Sequence, residues 1–179
     1  MKIAGIDVGI KSCKLAILED KLIYIGDYEK EKIKGVFAVG IDAPLSFPEK
    51  GTLRECEKKL LNLGIKIFPS GAKFFKRITL KGIEIAEELR KEGILVFEVY
   101  PFASRVLMKI APNVKKRTKS GIAEIRKELQ KFIEIPELTH DEIDAVISAL
   151  TVKEFLNGRG FVLDGKDGKI ILPGVNINK

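Results

Sequence analysis

Three apolar runs in this chain each end on a carboxylate: Ile3-Ala4-Gly5-Ile6-Asp7, Val36-Phe37-Ala38-Val39-Gly40-Ile41-Asp42 and Ile94-Leu95-Val96-Phe97-Glu98. An uninterrupted apolar run is the pattern of a strand buried on both faces, whereas a half-exposed strand alternates with polar residues. Such strands require helices on both sides of a sheet, which points to an α/β architecture. In open α/β sheets the ligand crevice lies at the carboxyl ends of the strands, where these acids stand. Neighbouring strands are about 5 Å apart, so acids at the ends of adjacent parallel strands can share a divalent cation. A further acidic pair, Asp141 and Asp144, opens the otherwise apolar segment His140-Asp141-Glu142-Ile143-Asp144-Ala145-Val146-Ile147.

With 179 residues, 45% of them hydrophobic, the chain has the size and core of one domain, 1–179. Its two cysteines, Cys13 and Cys56, have no metal-site spacing and read as buried small apolar residues in a reducing compartment. An acid at position 7 falls where a signal peptide would still be apolar, and no apolar stretch approaches the roughly 20 residues of a membrane span. The expectation is a cytoplasmic protein with no membrane partner. The net charge of +7 is uneven: Lys109 to Lys131 holds eight basic residues against two acids, a net of +6. A basic segment beside an acidic site suits a phosphate backbone. The competing reading is a solvated face in a Lys/Glu/Ile-rich protein of thermophilic type.

Local signals give the order of elements. Strands are expected at Lys2–Val8, Ser12–Leu18 and Leu22–Asp27, joined by turns short enough to make antiparallel hairpins. A fourth, Val36–Asp42, stops before Ala43-Pro44, since proline cannot continue a central ladder. A helical insertion over about 45–93 follows, with a capping-box spacing at Thr52-Leu53-Arg54-Glu55 and an amphipathic helix at Lys81–Lys91. A fifth strand spans Ile94–Tyr100, parallel to the first and fourth because helical crossovers join them. Helices are then expected at Phe102–Ala111, at Ile122–Phe132 and from a Thr139 cap to about Asn157, with a β-hairpin over about 160–173.

Each acid has a competing structural role. Asp7, between Gly5 and Gly9, favours a site over a mere turn cap because it ends the buried first strand. Asp42 leaves a run with no other polar side chain, and a carboxylate there needs a cation or an ion pair. Glu98 reads evenly as a ligand or an ordinary polar position. Asp141 sits in a first helical turn, where the helix dipole alone favours an acid. Asp144 lacks that explanation: it is embedded among Ile143, Ala145, Val146 and Ile147, on a polar stripe with Asp141, Ser148 and Thr151. His140, the single histidine, reads as a capping residue rather than a general base.

Taken in series, several segments resemble the RNase H-like nuclease superfamily, in its Holliday-junction-resolvase (RuvC-like) branch. Within that branch they are most similar to the family called domain of unknown function 429, described as predicted nucleases. The segments are Ile41-Asp42-Ala43-Pro44-Leu45, Arg54-Glu55-Cys56-Glu57, Leu63-Gly64, Phe68-Pro69, Glu98-Val99-Tyr100-Pro101, Lys115-Lys116-Arg117-Thr118 and the helix from Asp141. The resemblance implies a mixed five-stranded sheet of order 3-2-1-4-5 with strand 2 antiparallel, flanked by helices. It also implies a two-metal carboxylate site using Mg²⁺ or Mn²⁺, with Asp7, Asp42 and Asp144 catalytic and Glu98 or Asp141 as a fourth ligand. Resolvase-like enzymes usually carry Glu at the end of strand four, where this chain has the shorter Asp42.

The leading expectation is therefore a metal-dependent nuclease acting on DNA or RNA, with Lys115, Lys116, Arg117, Lys119 and Arg126 holding the backbone. Few aromatics interleave with that basic run, so stacking on single strands is not indicated there. The alternatives are an actin-like nucleotide-binding or phosphotransfer protein, for which one domain is too few, and a non-catalytic nucleic-acid-binding domain. A homodimer is left open.

Overall fold

The computed structural model describes residues 1–174. Strands β1 (Ile3–Val8), β2 (Cys13–Leu18) and β3 (Leu22–Asp27) form an antiparallel meander, and β4 (Ala38–Asp42) and β5 (Leu95–Glu98) extend the sheet parallel to β1. The strand order is β3-β2-β1-β4-β5, the order that the family resemblance implies. β4 and β5 are shorter than the expected strands Val36–Asp42 and Ile94–Tyr100. β4 starts at Ala38, with Phe37 just outside it and exposed, and β5 runs from Leu95 to Glu98, before the chain turns into a helix at Pro101.

Side-chain alternation divides the sheet's two faces. Ala4, Ile6 and Val8 of β1 and Val39 and Ile41 of β4 join one core with Ile85, Ala86 and Leu89 of helix α2 (Lys76–Lys91). The opposite parity places Gly5, Asp7, Gly40 and Asp42 on the other face, beneath helix α5 (His140–Leu156). There α5 is buried from Ile143 to Val152, which is why its sequence is apolar nearly all round. Thr139 caps it: its hydroxyl accepts from the Glu142 amide, and the Glu142 carboxylate accepts the Thr139 amide at 2.8 Å.

Gly5 and Gly40 are ladder partners, and together they set how closely the helix lies on the sheet. A Cβ on Gly5 would stand 2.1 Å from the Ala145 carbonyl oxygen, and one on Gly40 would stand 2.8 Å from that of Ser148. The helix crosses the first residues of β1 and β4 with its later turns, so its N-terminal turns lie over the strands' carboxyl ends. The helix thereby delivers Asp144 to the sheet acids.

Between β4 and β5 lie α1 (Glu55–Asn62) and α2. The start of α2 is five residues earlier than the amphipathic pattern indicates. Its first turn, Lys76-Arg77-Ile78-Thr79, has little apolar periodicity but is tied down by Thr79, whose hydroxyl donates to the Ser70 carbonyl at 3.1 Å. The N-cap of α1 is Arg54 rather than Thr52. Its first free amide, on Glu55, is satisfied from far away by the Asp167 carboxylate at 2.8 Å, and Glu57 accepts the Arg54 amide at 2.9 Å. Asp167 lies in the turn of the C-terminal hairpin, β6 (Gly160–Gly165) and β7 (Gly168–Pro173).

After β5, α3 (Pro101–Met108) ends at Lys109, with φ 57°. Arg105, buried and donating to the Ile110 carbonyl at 3.2 Å and to that of Ala111, braces this left-handed turn. α4 (Lys119–Leu129) begins three residues before the expected start because the Thr118 hydroxyl caps it. Among the described residues no helix is long and apolar enough to cross a membrane.

Candidate metal centre and its cleft

The parallel register of β1 and β4 makes Asp7 and Asp42 direct partners. Asp144, in the second turn of α5, completes a group in which one oxygen of each carboxylate lies within 4.8 Å of the others. Bringing three such charges together out of water is costly, and the ionisation equilibria register that cost. Burial, then repulsion from Asp144 and Asp141, raises the Asp7 pKa to about 7. Burial, then the charges of Asp144 and Asp7, pushes Asp42 well above the usual carboxylate range. Burial also raises Asp144, opposed by the charge of Lys116.

Lys116 belongs to the segment expected to hold a nucleic-acid backbone, yet its ammonium donates directly to Asp144. Burial lowers the Lys116 pKa, but Asp144, with Asp42 and Asp7 behind it, outweighs this and raises it. The acids thus already attract one cation from the protein itself. Three hard carboxylate donors in one small volume, with no His or Cys among them, match the ligand preference of Mg²⁺ or Mn²⁺ rather than of a thiophilic metal.

The other expected ligands lie apart from this group. Glu98 is in register with Ile41, which faces α2, so its carboxylate leaves the sheet on the face opposite Asp42. There it accepts two hydrogen bonds from the fully buried Arg54, at 2.7 and 2.5 Å, and one from the Leu45 amide at 2.8 Å. Arg54 also donates to Glu57 at 3.0 Å, and Glu57 accepts from the Ser70 hydroxyl at 3.1 Å. Glu98 therefore anchors the insertion instead of pointing at the acids. Asp141 is nearly half exposed at the rim, its Oδ1 2.6 Å from His140 Nδ1, and it acts on Asp7 and Asp144 through its charge. His140 is the first residue of α5, while the capping is done by Thr139.

Of the expected backbone-binding residues, Lys115, Arg117 and Lys119 are exposed. Arg126 is partly buried and faces Glu137 at 3.6 Å. The three acids open into a cavity of about 750 Å³ whose walls include Lys66, Phe68, Phe75, Tyr100 and Arg105. These wall residues were not among the expected site residues. A signal for some of them exists in the composition: from Lys58 to Ile83 there are seven basic residues and no acid, with Phe68, Phe74 and Phe75 interspersed. With +6 on 109–131 and +7 on 58–83, the rest of the chain carries −6, a contrast hidden when the first segment alone is counted.

A search of functionally curated proteins finds no match. Among solved structures, the chain is similar to Thermus thermophilus RuvC, with TM-score 0.49 and 15% identity over 88% of this chain and 97% of that one. It is also similar to T. thermophilus RuvC in complex with a Holliday junction substrate, with TM-score 0.52 and 16% identity over 88% and 96%. At that identity the second likeness shows the RNase H-like, RuvC-like fold. The family model described as "Protein of unknown function (DUF429)" matches residues 20–167, which takes in Asp42 and Asp144 and begins after Asp7. Since that match covers most of the sequence, the chain belongs to the DUF429 family.

Proposed function

We propose that this protein is a divalent-metal-dependent nuclease, hydrolysing phosphodiester bonds of DNA or RNA. The observation that carries the reading is the convergence of Asp7, Asp42 and Asp144, from two parallel strand ends and a helix start, within 4.8 Å at the head of a cleft. When bound, a pair of Mg²⁺ or Mn²⁺ ions supplies charge stabilisation and an activated water for in-line displacement. Asp7 and Asp42 form the rigid half of the cradle because the β-ladder fixes their spacing. Asp144 closes it from the helix. Lys116, on the last stretch before α4, places a positive charge beside Asp144 that is free to turn toward a phosphate once a metal occupies the acids. Exposed Lys115, Arg117 and Lys119 hold the backbone without reading sequence.

The non-catalytic alternative draws support from the same Lys116, because an ammonium on Asp144 competes with a metal ion for it. Calorimetric titration with Mn²⁺ and cleavage assays on branched, hybrid, single-stranded and duplex substrates separate the two. The nuclease reading expects Mn²⁺ binding that Asp7→Asn abolishes and Lys116→Met tightens, with Mn²⁺-dependent cleavage lost in Asp7→Asn. Binding of nucleic acid with no cleavage of any substrate and no Mn²⁺ uptake sinks it.

A further inference from the structure

Three phenylalanines form a cluster, and two of them, Phe68 and Phe75, stand on the wall of the acid cleft. Phe68 and Phe75 stack with ring centroids 5.9 Å apart and planes 29° from parallel, and Phe74 meets both edge-on at 6.2 and 6.3 Å. Phe68 is 61% and Phe74 69% exposed, while Phe68 and Phe75 line the same cavity as Asp7, Asp42 and Asp144. Exposed apolar rings in a contiguous patch mark a binding surface more often than scattered single residues do.

The patch is firmly mounted. Ser70, two residues after Phe68, is fully buried and tied to Glu57 through both its amide and its hydroxyl, and Glu57 pairs with Arg54. Arg54 in turn grips Glu98 at the end of β5, beside the strand that carries Asp42. The rings are thus held at a fixed place relative to the acids. Their surroundings are cationic: Lys66 lines the cavity, Lys73 and Lys76 flank Phe74 and Phe75 and are exposed, and no acid occurs between Lys58 and Ile83. Flat aromatic faces set among positive charges suit a ligand that is itself aromatic and anionic.

We infer that the open face of Phe68, backed by the stacked ring of Phe75 and bordered edge-on by Phe74, is a stacking platform for an unpaired nucleobase of the strand whose backbone lies at the three acids. This rests on the nuclease reading and narrows its substrate class to nucleic acid with unpaired nucleotides. A base within a duplex has both faces covered by its neighbours, so only a single-stranded, unpaired or extruded base can offer one to the rings. The cavity is within the size range that takes a small organic molecule, leaving room for a nucleotide between platform and acids.

The test is fluorescence titration of the full chain, in EDTA to prevent cleavage, with an oligonucleotide containing one 2-aminopurine, as a single strand and as a duplex. The single strand is expected to bind more tightly, with the probe quenched on binding. Phe68→Ala and Phe74→Ala are expected to weaken single-strand binding about tenfold and leave duplex binding unchanged. Phe68→Leu, which keeps the apolar bulk, is expected to lose the quenching as well. Unchanged affinity in all three variants overturns the platform, and so does equal loss for both substrates. A dimer in sedimentation that Phe74→Ala converts to monomer also overturns it, assigning the patch to a second copy of the chain. A parallel Mn²⁺ cleavage assay of the wild type keeps the two readings separable. Phe-dependent quenching without cleavage leaves the platform standing and removes the nuclease, while cleavage without it removes only the platform.

Discussion

Asp7 and Asp42 are ladder partners and Asp144 stands over them, so ionising any one makes the others harder to ionise. This gives a signed prediction for the metal-free protein. Asp7 titrates near its ordinary value of 3.8 when unfolded and at about 7 when folded. Between those values the folded chain binds more protons, so stability from this group falls as pH rises through the window and is lowest above about 7. Asp7→Asn, neutral at every pH, is therefore expected to be more stable than wild type by about 1–3 kcal/mol at pH 8, with the gain vanishing below about pH 4. The range is set below the full shift because the three carboxylates titrate together, so the shift does not belong to Asp7 alone. Denaturant unfolding of both proteins in EDTA across that range checks it. Adding Mn²⁺ is expected to reverse the order, because the ion stabilises only the protein that binds it.

The elements that carry the site depend on two contacts of different kinds. One is the steric fit of α5 on the glycine floor. Gly5→Ala puts a methyl 2.1 Å from the Ala145 carbonyl oxygen and 2.3 Å from the Ala149 amide nitrogen, and neither backbone atom can yield without lifting the helix. A loss of about 1–3 kcal/mol or more is expected in urea unfolding, together with weaker Mn²⁺ binding, because Asp144 moves with the helix. The other is the buried Arg54 group. Arg54→Met strands Glu98 and Glu57 without a counter-charge and is expected to cost about 3–5 kcal/mol, by the same measurement.

These contacts also mark the limit of what is legible in the sequence. The strands and α5 were readable because apolar runs, terminal acids and the Thr139 capping box are local signals, and Asp7, Asp42 and Asp144 follow from them. Glu98 ends its run just as Asp42 does, and only the register with Ile41 shows that it faces the other way. Its partner Arg54 lies 44 residues upstream, in a segment whose local signal is a capping-box spacing at Thr52 and whose resemblance motif, Arg54-Glu55-Cys56-Glu57, names no partner for Glu98. The start of α2 was hidden for a related reason, since Thr79 holds it by a contact to Ser70 rather than by apolar periodicity.

At the scale of the whole molecule, the fold brings together charge that the sequence holds in two separate stretches. Two cationic stretches, 58–83 and 109–131, come from the insertion and from the α3–α4 connection, and both contribute to the walls of the cleft that holds the acids. Of the second stretch, Lys116 is engaged with Asp144, Arg126 faces Glu137 and Lys131 pairs with Glu128, while Lys115, Arg117 and Lys119, next to Lys116, are exposed. Each phosphate contact releases condensed counterions, so the dependence of affinity on salt counts the contacts. Replacing Lys115, Arg117 and Lys119 together by Gln is expected to weaken duplex and single-strand binding alike. It should also flatten the plot of log K against log salt by about 0.9 per lost contact on duplex and about 0.7 on single strands. The phenylalanine substitutions should leave that slope unchanged, because stacking releases no counterions. A slope unaltered by the triple replacement would place the backbone on Lys66, Lys73 and Lys76 instead, making the insertion the sole nucleic-acid face and the 109–131 segment a solvated surface.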